Sequence, residues 1–268
     1  NNDWMTKTAV DGGAGFTSQW DANFFHPVRE AIITPSDEGR DMDKVANAIR
    51  FAYNGQPLQR VVYTESHDEV ANGKARVPEE IDPGNANNLY AKRRSILGAA
   101  IVFTTPGIPL IFQGQEFLEG GWFKDTDPLD WEKARHNVGI IDLYRDLIAL
   151  RRNVAGKTAG LRGDHVNLFR VDNAHKLLAF HRWQHGGAED DVVVVANFSH
   201  EAREVALGLP QGGTWQMRFN SDLRAYDGDF TTAKLETIEA EAGEMDGLSF
   251  WGSVKLTPYT AVILSQDG

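Results

Sequence analysis

The chain has 268 residues and a formal net charge of −11, with 27 Lys and Arg residues against 38 Asp and Glu residues. This acidic balance lacks the basic surface that phosphate backbones require, so we predict no nucleic-acid partner. The sequence contains no cysteine, which excludes disulfides and thiolate chemistry, and no run of roughly 20 apolar residues that could span a bilayer; we therefore predict no membrane partner and take the cytoplasm as the default location.

The first part of the chain alternates short apolar strands with longer helical patterns. Strands are predicted at 15–21, 60–66 and 108–113, and helices at 42–53, 89–104 and 138–153. The helix at 89–104 should stop before Pro106 and Gly107, which cannot continue it. This alternation is typical of parallel βα units.

From about residue 159 onward the pattern becomes all-β. Short strands are predicted at 166–171, 176–183, 192–198, 204–209, 214–220 and 253–264, with Gly, Asn and Asp in the turns between them. Several short strands at close spacing favour an antiparallel β-sandwich. Trp183, Trp215 and Trp251 alternate within these strands, so most of them should lie in the core. We place the domain boundary between residues 158 and 159.

The most informative polar cluster follows the predicted strand at 60–66, where His67 and Asp68 stand. Ligands of parallel βα folds bind at the carboxyl ends of the strands, because the loops converge there. A carboxylate can stabilise a developing positive charge, and an imidazole can hydrogen-bond a hydroxyl group. The alternative is a charged strand end that merely begins a loop.

Three further groups are candidates for the same cleft. Gln113 ends the predicted strand at 108–113 and Glu116 follows it, although a solvated turn would show the same sequence pattern. Trp20 ends the first strand, where packing and helix capping are equally good explanations. Trp122 and the nearby Trp131 offer flat rings that suit the apolar faces of sugars, unless they are core residues. The histidines are scattered without a metal-binding motif, so we predict no metal and no cofactor.

Three segments in the correct order resemble signatures of the α-amylase superfamily, glycoside hydrolase family 13. Residues 65–70, followed by Gly73 and Lys74, are closest to the Ser-His-Asp-Glu form found in 1,4-α-glucan branching enzymes. Residues 106–116 resemble the segment at the eighth strand of the family's barrel, and residues 15–21 resemble its sixth strand. The resemblance implies the C-terminal part of a (β/α)8 TIM barrel, strands six to eight, in residues 1–158, and the family's C-terminal β-sandwich in residues 159–268.

The resemblance also implies roles for individual residues. Asp68 matches the third family carboxylate, which stabilises the transition state, and His67 matches the histidine that holds sugar hydroxyls. Glu116, Gln113 and Trp20 match positions that line the cleft, and Trp122 joins them as a further substrate-binding candidate. The implied partner is an α-glucan, whose α-1,4 or α-1,6 bonds are cleaved by a retaining double displacement.

Some alternatives remain open at this stage. Branching enzymes often have a histidine where this chain has Asn72, so α-amylases and trehalose-releasing hydrolases are alternatives to a branching enzyme. The family's nucleophile and general acid follow its fourth and fifth strands, and no matching segment precedes residue 15. We therefore expect a C-terminal fragment that is inactive alone and self-associates through exposed barrel-strand edges. The rival from another class is a non-catalytic carbohydrate-binding or interaction module.

Overall fold

A computed structural model describes residues 3–71 and 73–268, so the departure at Asn72 lies outside the described residues. In the first part, a three-stranded parallel sheet is formed by β1 (Gln19–Trp20), β2 (Arg60–Val62) and β3 (Ile108–Pro109) in the order β1-β2-β3. The positions and the parallel pairing agree with the sequence prediction. Each strand is shorter than predicted, because only two or three residues of each are paired.

Among the described residues, six α-helices surround this sheet or follow it. They are α1 (Ala22–Ile33), α2 (Met42–Arg50), α3 (Val77–Ile81), α4 (Leu89–Thr104), α5 (Trp131–His136) and α6 (Val138–Arg151). The bounds of α4 are those predicted, whereas α1, α3 and α5 were not predicted. Side chains of Asp21, Asp41 and Asn88 cap the first turns of α1, α2 and α4, as expected for helix N-termini. Among the helices that the structure describes, none combines the length and hydropathy needed for a bilayer span.

The second part is one curled antiparallel sheet of eight strands. Its strands are β4 (His165–Asp172), β5 (Leu177–Trp183), β6 (Val192–Asn197), β7 (Arg203–Leu209), β8 (Gly213–Asn220), β9 (Thr237–Met245), β10 (Leu248–Leu256) and β11 (Thr260–Ser265), in the order β4-β5-β6-β11-β8-β9-β10-β7. The outermost strands meet where Arg170 of β4 donates to the carbonyl of Ala206 in β7 at 2.7 Å. The sheet thus folds back on itself, which gives the sandwich-like layers that were predicted.

Two details of the predicted strands were wrong. The single strand predicted at 253–264 is two strands, because the chain turns at Thr257–Tyr259, where Tyr259 has a positive φ of 54°. The strand β9 was not predicted, since its Glu-rich sequence lacks an apolar run. Of the three tryptophans expected in the core, Trp215 is fully buried, whereas Trp183 and Trp251 remain partly exposed.

Two apolar cores hold these layers together. One lies inside the curled sheet and includes Leu207, Trp215 and Leu264. The other is shared by both parts of the chain, since Ile101 of α4 belongs to the same buried cluster as Phe180 of β5. Burial of apolar surface is the main favourable contribution to folding, so the shared core fixes the curled sheet against the helices.

Three buried arginines converge on the connection between α4 and β3. Arg182 of β5 donates to the carbonyl of Thr104, Arg151 of α6 donates to that of Thr105 at 2.7 Å, and Arg60 of β2 donates to that of Pro106 at 2.9 Å. Cations stabilise the carboxyl end of a helix, whose last carbonyls lack partners within the helix. Burial, with a contribution from the neighbouring Arg60 charge, lowers the pKa of Arg151 to about 10. The cluster fixes where β3 begins.

Candidate active site

The carboxyl ends of the three parallel strands lie side by side at one edge of the sheet. The hydrogen-bond ladder extends one residue past β1 and β3, because the Asp21 N–H donates to Val61 O and the Leu110 N–H to Val62 O, both at 3.0 Å. The segments that follow the strands are therefore held together at this edge. It is the position at which parallel βα folds place their ligands.

The segment after β2 changes abruptly from buried to exposed. Thr64, Glu65 and Ser66 are each 1% exposed, and the chain then turns, with the Val70 N–H donating to Ser66 O at 3.2 Å. The side chains of His67 and Asp68 are 57% and 77% exposed. These two residues are the first of the segment to leave the core.

Trp20, His67 and Asp68 form a contiguous surface, which we call the Trp20–Asp68 surface. His67 Nε2 lies 3.4 Å from Asp68 Oδ1, and the indole of Trp20 meets the imidazole edge-on, with 5.6 Å between ring centres. Trp20 also packs edge-on against Tyr63 at 5.3 Å. Burial, together with the nearby carboxylates of Glu69, Asp21 and Asp68, raises the pKa of Tyr63 to about 12, so its hydroxyl is neutral at physiological pH. The surface combines an aromatic ring, an imidazole and a carboxylate.

Asp21 explains why Trp20 is held in place. It is fully buried, and its carboxylate accepts hydrogen bonds from Asn23 N at 3.0 Å, Tyr53 OH at 3.2 Å and Arg60 Nη1 at 3.2 Å. The prediction that helix capping explains the end of the first strand is confirmed for Asp21, which caps α1. Trp20 itself stays 45% exposed and is free to meet a ligand.

A buried ion pair joins the segments after β2 and β3. Glu65 accepts from Val77 N at 2.6 Å and lies 3.4 Å from Arg76 Nη1, which also donates to Gln113 O at 2.9 Å. Burial raises the pKa of Glu65, and the opposing charge of Arg76 reduces that effect. Sequence reasoning assigned no role to Glu65 or Arg76. The signal that could have found Glu65 is a carboxylate two residues before the exposed pair, on an otherwise buried strand end.

The structure places the predicted residues after β3 in different environments. Gln113 is exposed, whereas its neighbour Gln115 is buried and donates to Thr64 Oγ1 at 2.7 Å. Glu116 is half-buried, and its Oε2 has no hydrogen-bond partner among the described residues. Since Oε2 is buried, the Glu116 carboxylate is directed partly toward the interior. The roles of Gln113 and Glu116 in binding stay predictions.

Trp122 and Trp131 are both exposed, which excludes the core interpretation for them. The backbone N–H of Phe123 donates to Val70 O at 2.6 Å, so Trp122 stands beside the segment that carries His67 and Asp68. Lys124 Nζ lies 5.3 Å from the centre of the Trp122 ring. Trp131 packs against the buried ring of Phe117, with 5.7 Å between ring centres. Within residues 3–71 and 73–268, no group of three or more histidine or acidic side chains could hold a metal ion.

Comparison with known proteins identifies relatives of the whole chain. Residues 170–267 match the family described as alpha amylase, C-terminal all-beta domain. The chain is 30% identical over 269 residues to the 1,4-alpha-glucan branching enzyme GlgB of Pseudomonas syringae pv. syringae, which covers 97% of this chain and 34% of that protein. It is 28% identical over 255 residues to the corresponding enzyme of Corynebacterium efficiens, covering 92% of this chain and 34% of the relative.

A solved structure shares the fold. The pullulanase of Anoxybacillus sp. LM18-11, complexed with maltotetraose, superposes with a TM-score of 0.65 at 20% identity, over 93% of this chain and 35% of that one. The chain thus spans about a third of the length of the curated relatives it matches. Residues 170–267 match the C-terminal all-β domain family of α-amylases, and nearly the whole chain is similar to about a third of the length of 1,4-alpha-glucan branching enzymes.

Proposed function

We propose that the chain contributes one side of the glucan-binding cleft of an α-glucan-active enzyme, and that this enzyme is a 1,4-α-glucan branching enzyme. The observation that carries the proposal is the Trp20–Asp68 surface, which presents an aromatic ring, an imidazole and a carboxylate where three parallel strands end. The proposal is also supported by the similarity of nearly the full chain to branching enzymes. The maltotetraose complex of the similar pullulanase supports an α-glucan as the ligand.

The proposal includes a placement in the parent fold. We infer that β1, β2 and β3 are the sixth, seventh and eighth strands of a (β/α)8 barrel, with residues 1–158 in the barrel and residues 159–268 in the C-terminal domain. The short parallel strands with helices between them agree with this placement. Their carboxyl ends would then face the mouth of the barrel, where the active sites of such folds lie.

The chemistry follows from the charge that develops at the sugar. In a retaining double displacement, the transition state resembles an oxocarbenium ion, which is positively charged. The exposed carboxylate of Asp68 would stabilise that charge, and such preorganised groups contribute roughly 3–4 kcal/mol when they act on a transition state. His67 would hydrogen-bond sugar hydroxyls, and the rings of Trp20 and Trp122 would pack against the apolar faces of the sugar.

We assign the nucleophile and the general acid to no residue of this chain. Asp68 and Glu116 are not this pair, because the resemblance matches Asp68 to the family's third carboxylate and Glu116 to a position that lines the cleft, and gives the nucleophile and the general acid to segments after the fourth and fifth strands. We therefore propose that the chain alone binds α-glucan but does not turn it over. Incubation with starch should release no new reducing ends and form no branches. Turnover that is lost in Asp68→Asn would contradict this assignment.

Binding can be tested by titrating the chain with maltoheptaose and following tryptophan fluorescence. We expect His67→Ala and Trp20→Ala each to weaken binding by about tenfold, which corresponds to the loss of about 1.4 kcal/mol. Asp68→Asn should change binding little, because a group that acts on the transition state adds little to ground-state affinity. Trp131→Ala is the exposed tryptophan control.

The same titration separates the rival function. Trp183 lies in the curled sheet and stacks between His165 at 5.2 Å and His181 at 4.5 Å. If Trp183→Ala abolishes maltoheptaose binding while His67→Ala and Trp20→Ala leave it unchanged, the chain is a non-catalytic carbohydrate-binding module and the cleft proposal is wrong.

We also propose that the chain self-associates through its small sheet. Among the described residues, β3 pairs with β2 and with no further strand, so β3 has one unpaired edge. Such edges are templates for pairing with another chain. The expectation follows from the edges themselves and does not depend on catalysis.

A further inference from the structure

A second groove lies where the helices meet the curled sheet, and it shares no residue with the Trp20–Asp68 surface. Its volume is about 430 Å³, within the usual range of small-ligand sites. The residues that bear on its chemistry are Asp37, Asp82, Asn88, Tyr90, His200 and Tyr259. Both parts of the chain contribute to it, which makes it a site that the complete fold creates.

The groove contains an exposed aromatic ring on a rigid base. Tyr90, at the start of α4, is 56% exposed and packs edge-on against Tyr259, with 6.1 Å between ring centres. Tyr259 is buried, and the guanidinium groups of Arg40 and Arg94 lie over its ring at 5.0 and 5.6 Å. These contacts immobilise Tyr259, so Tyr90 rests on a fixed support while most of its own ring faces solvent.

The polar groups around Tyr90 retain unused hydrogen-bonding capacity. The Nδ1–H of His200 donates to Asp37 Oδ2, 2.8 Å away, and its Nε2 has no partner among the described residues. Asp82 accepts from Asn85 and Asn88 through Oδ2, which leaves its Oδ1 without a partner in the same part of the chain. The rim therefore presents an imidazole nitrogen and a carboxylate oxygen to the same space.

Charge decides which class of ligand fits. The carboxylates of Asp37 and Asp82 disfavour an anion. Asp37 is already engaged: burial raises its pKa, but hydrogen bonds from Ser199 and His200 outweigh burial and lower it overall, and Arg40 pairs with it. The third carboxylate of the lining, Glu38, is exposed to solvent, and Arg94 lies beneath the aromatic pair. Among the described residues, no three histidine or acidic side chains are placed to hold a metal ion, so the groove does not favour a cation. A neutral ligand with many hydroxyl groups, which both donate and accept, uses the rim and the ring together.

We propose that this groove is a second binding site for a neutral oligosaccharide, with Tyr90 as the stacking platform and Asp82 and His200 as partners of sugar hydroxyls. The choice of an α-glucan as the sugar rests on the function proposed above. A chain bound at Tyr90 would contact both α4 and the turn before β11. It would hold polymeric substrate on the enzyme away from the cleft.

The test is a two-dimensional NMR titration of the full chain with maltotetraose, which reports each site separately. We expect two sets of shifted resonances, one around Trp20 and His67 and one around Tyr90 and His200. Tyr90→Ala should weaken binding at the groove by about fivefold and leave the cleft unchanged, whereas Tyr90→Phe, which keeps the ring, should bind nearly as the unaltered chain does. His67→Ala should have the reverse selectivity.

Each outcome bears on one proposal. Shifts confined to the region of Trp20 and His67 would overturn the groove, and shifts confined to the region of Tyr90 would overturn the cleft instead. If inorganic phosphate or tetramethylammonium shifts the groove resonances and maltotetraose does not, the ligand class is wrong. Asp82→Asn offers a second variant with little risk to folding, because an amide oxygen still accepts from Asn88; unchanged affinity in both Tyr90→Ala and Asp82→Asn would also overturn the groove.

Discussion

The buried carboxylate of Asp21 should be far more important for stability than its role as a helix cap alone suggests. Asp21 caps α1 through Asn23 N and also pairs with Arg60, and both partners of the pair have fully buried side chains. Asp41 provides a matched control, because it caps α2 through Lys44 N at 3.1 Å in an exposed position. The two substitutions Asp21→Ala and Asp41→Ala therefore differ in the buried ion pair and in the hydrogen bond that Asp21 accepts from Tyr53 OH.

The expected magnitudes follow from these contacts. Removal of an Asp cap costs about 1 kcal/mol, which is the whole effect expected for Asp41→Ala. Removal of one partner of a buried ion pair costs about 3–5 kcal/mol, because it leaves an uncompensated charge. Arg60 keeps hydrogen bonds to the carbonyls of Pro106, Ala48 and Ile49, so the lower end applies. We expect Asp21→Ala to lower the free energy of unfolding by about 4 kcal/mol in total.

Urea unfolding at neutral pH, followed by circular dichroism, measures this difference. Asp21→Asn separates the two contributions, because the amide oxygen can still accept from Asn23 N while the charge is lost. We expect Asp21→Asn to lie between the alanine variant and the unaltered chain. If Asp21→Ala costs no more than Asp41→Ala, the buried pair contributes nothing and the reasoning is refuted.

Three further predictions concern the buried Glu65, the arginine cluster and the sheet edges. Burial raises the pKa of Glu65 above its usual 4.5, so the stability that Glu65 contributes is fully present below pH 4.5 and is lost as the pH rises through the pKa of the folded state. Glu65→Gln should remove this decline in stability. Urea midpoints that change in parallel for both proteins between about pH 4 and pH 8 would contradict this prediction. Arg182→Met leaves buried carbonyls without a donor and should lower the free energy of unfolding in urea by more than about 3 kcal/mol. Arg145→Met, which removes an exposed ion pair, should lower it by under about 1 kcal/mol. Equal losses in the two variants would refute the importance of the arginine cluster. Light scattering should detect dimers or larger species, and Ile108→Lys at the edge of β3 should reduce them; a monomer at every concentration would exclude self-association.

The bounds of the long helix α4 could be predicted more closely than those of the short parallel strands, although α1, α3 and α5 were missed. The bounds of α4 follow from local signals: Asn88 caps it through Ala91 N at 2.8 Å, and Pro106 and Gly107 prevent its continuation. The strand predicted at 15–21 is paired at Gln19–Trp20 alone. An apolar run indicates a strand, but its length depends on where the partner strand ends, and that is a property of the tertiary fold. The helix α1 was missed because Pro27 lies inside it.

The buried charges could not be predicted in the same way. Arg60, Arg151 and Arg182 look like ordinary surface residues in the sequence, since arginine is rarely fully buried without a partner. Their partners are mostly backbone carbonyls, which every residue carries, so no residue type marks the contact. The turn at Tyr259 was missed for a related reason, because a positive φ at a bulky residue is imposed by the surrounding structure.

The candidate site was predictable where polarity changes along the chain, and its supports were not. His67 and Asp68 are polar residues at the end of an apolar strand, and their exposure agrees with that pattern. The groups that hold them are buried: Asp21 behind Trp20, and Glu65 between the two loops. Substitutions at the exposed pair should therefore alter binding with little loss of stability, since surface changes away from buried contacts usually cost under about 0.5 kcal/mol. A variant of His67 can thus be interpreted as a change in ligand contact, whereas a variant of Glu65 must first be corrected for its effect on folding.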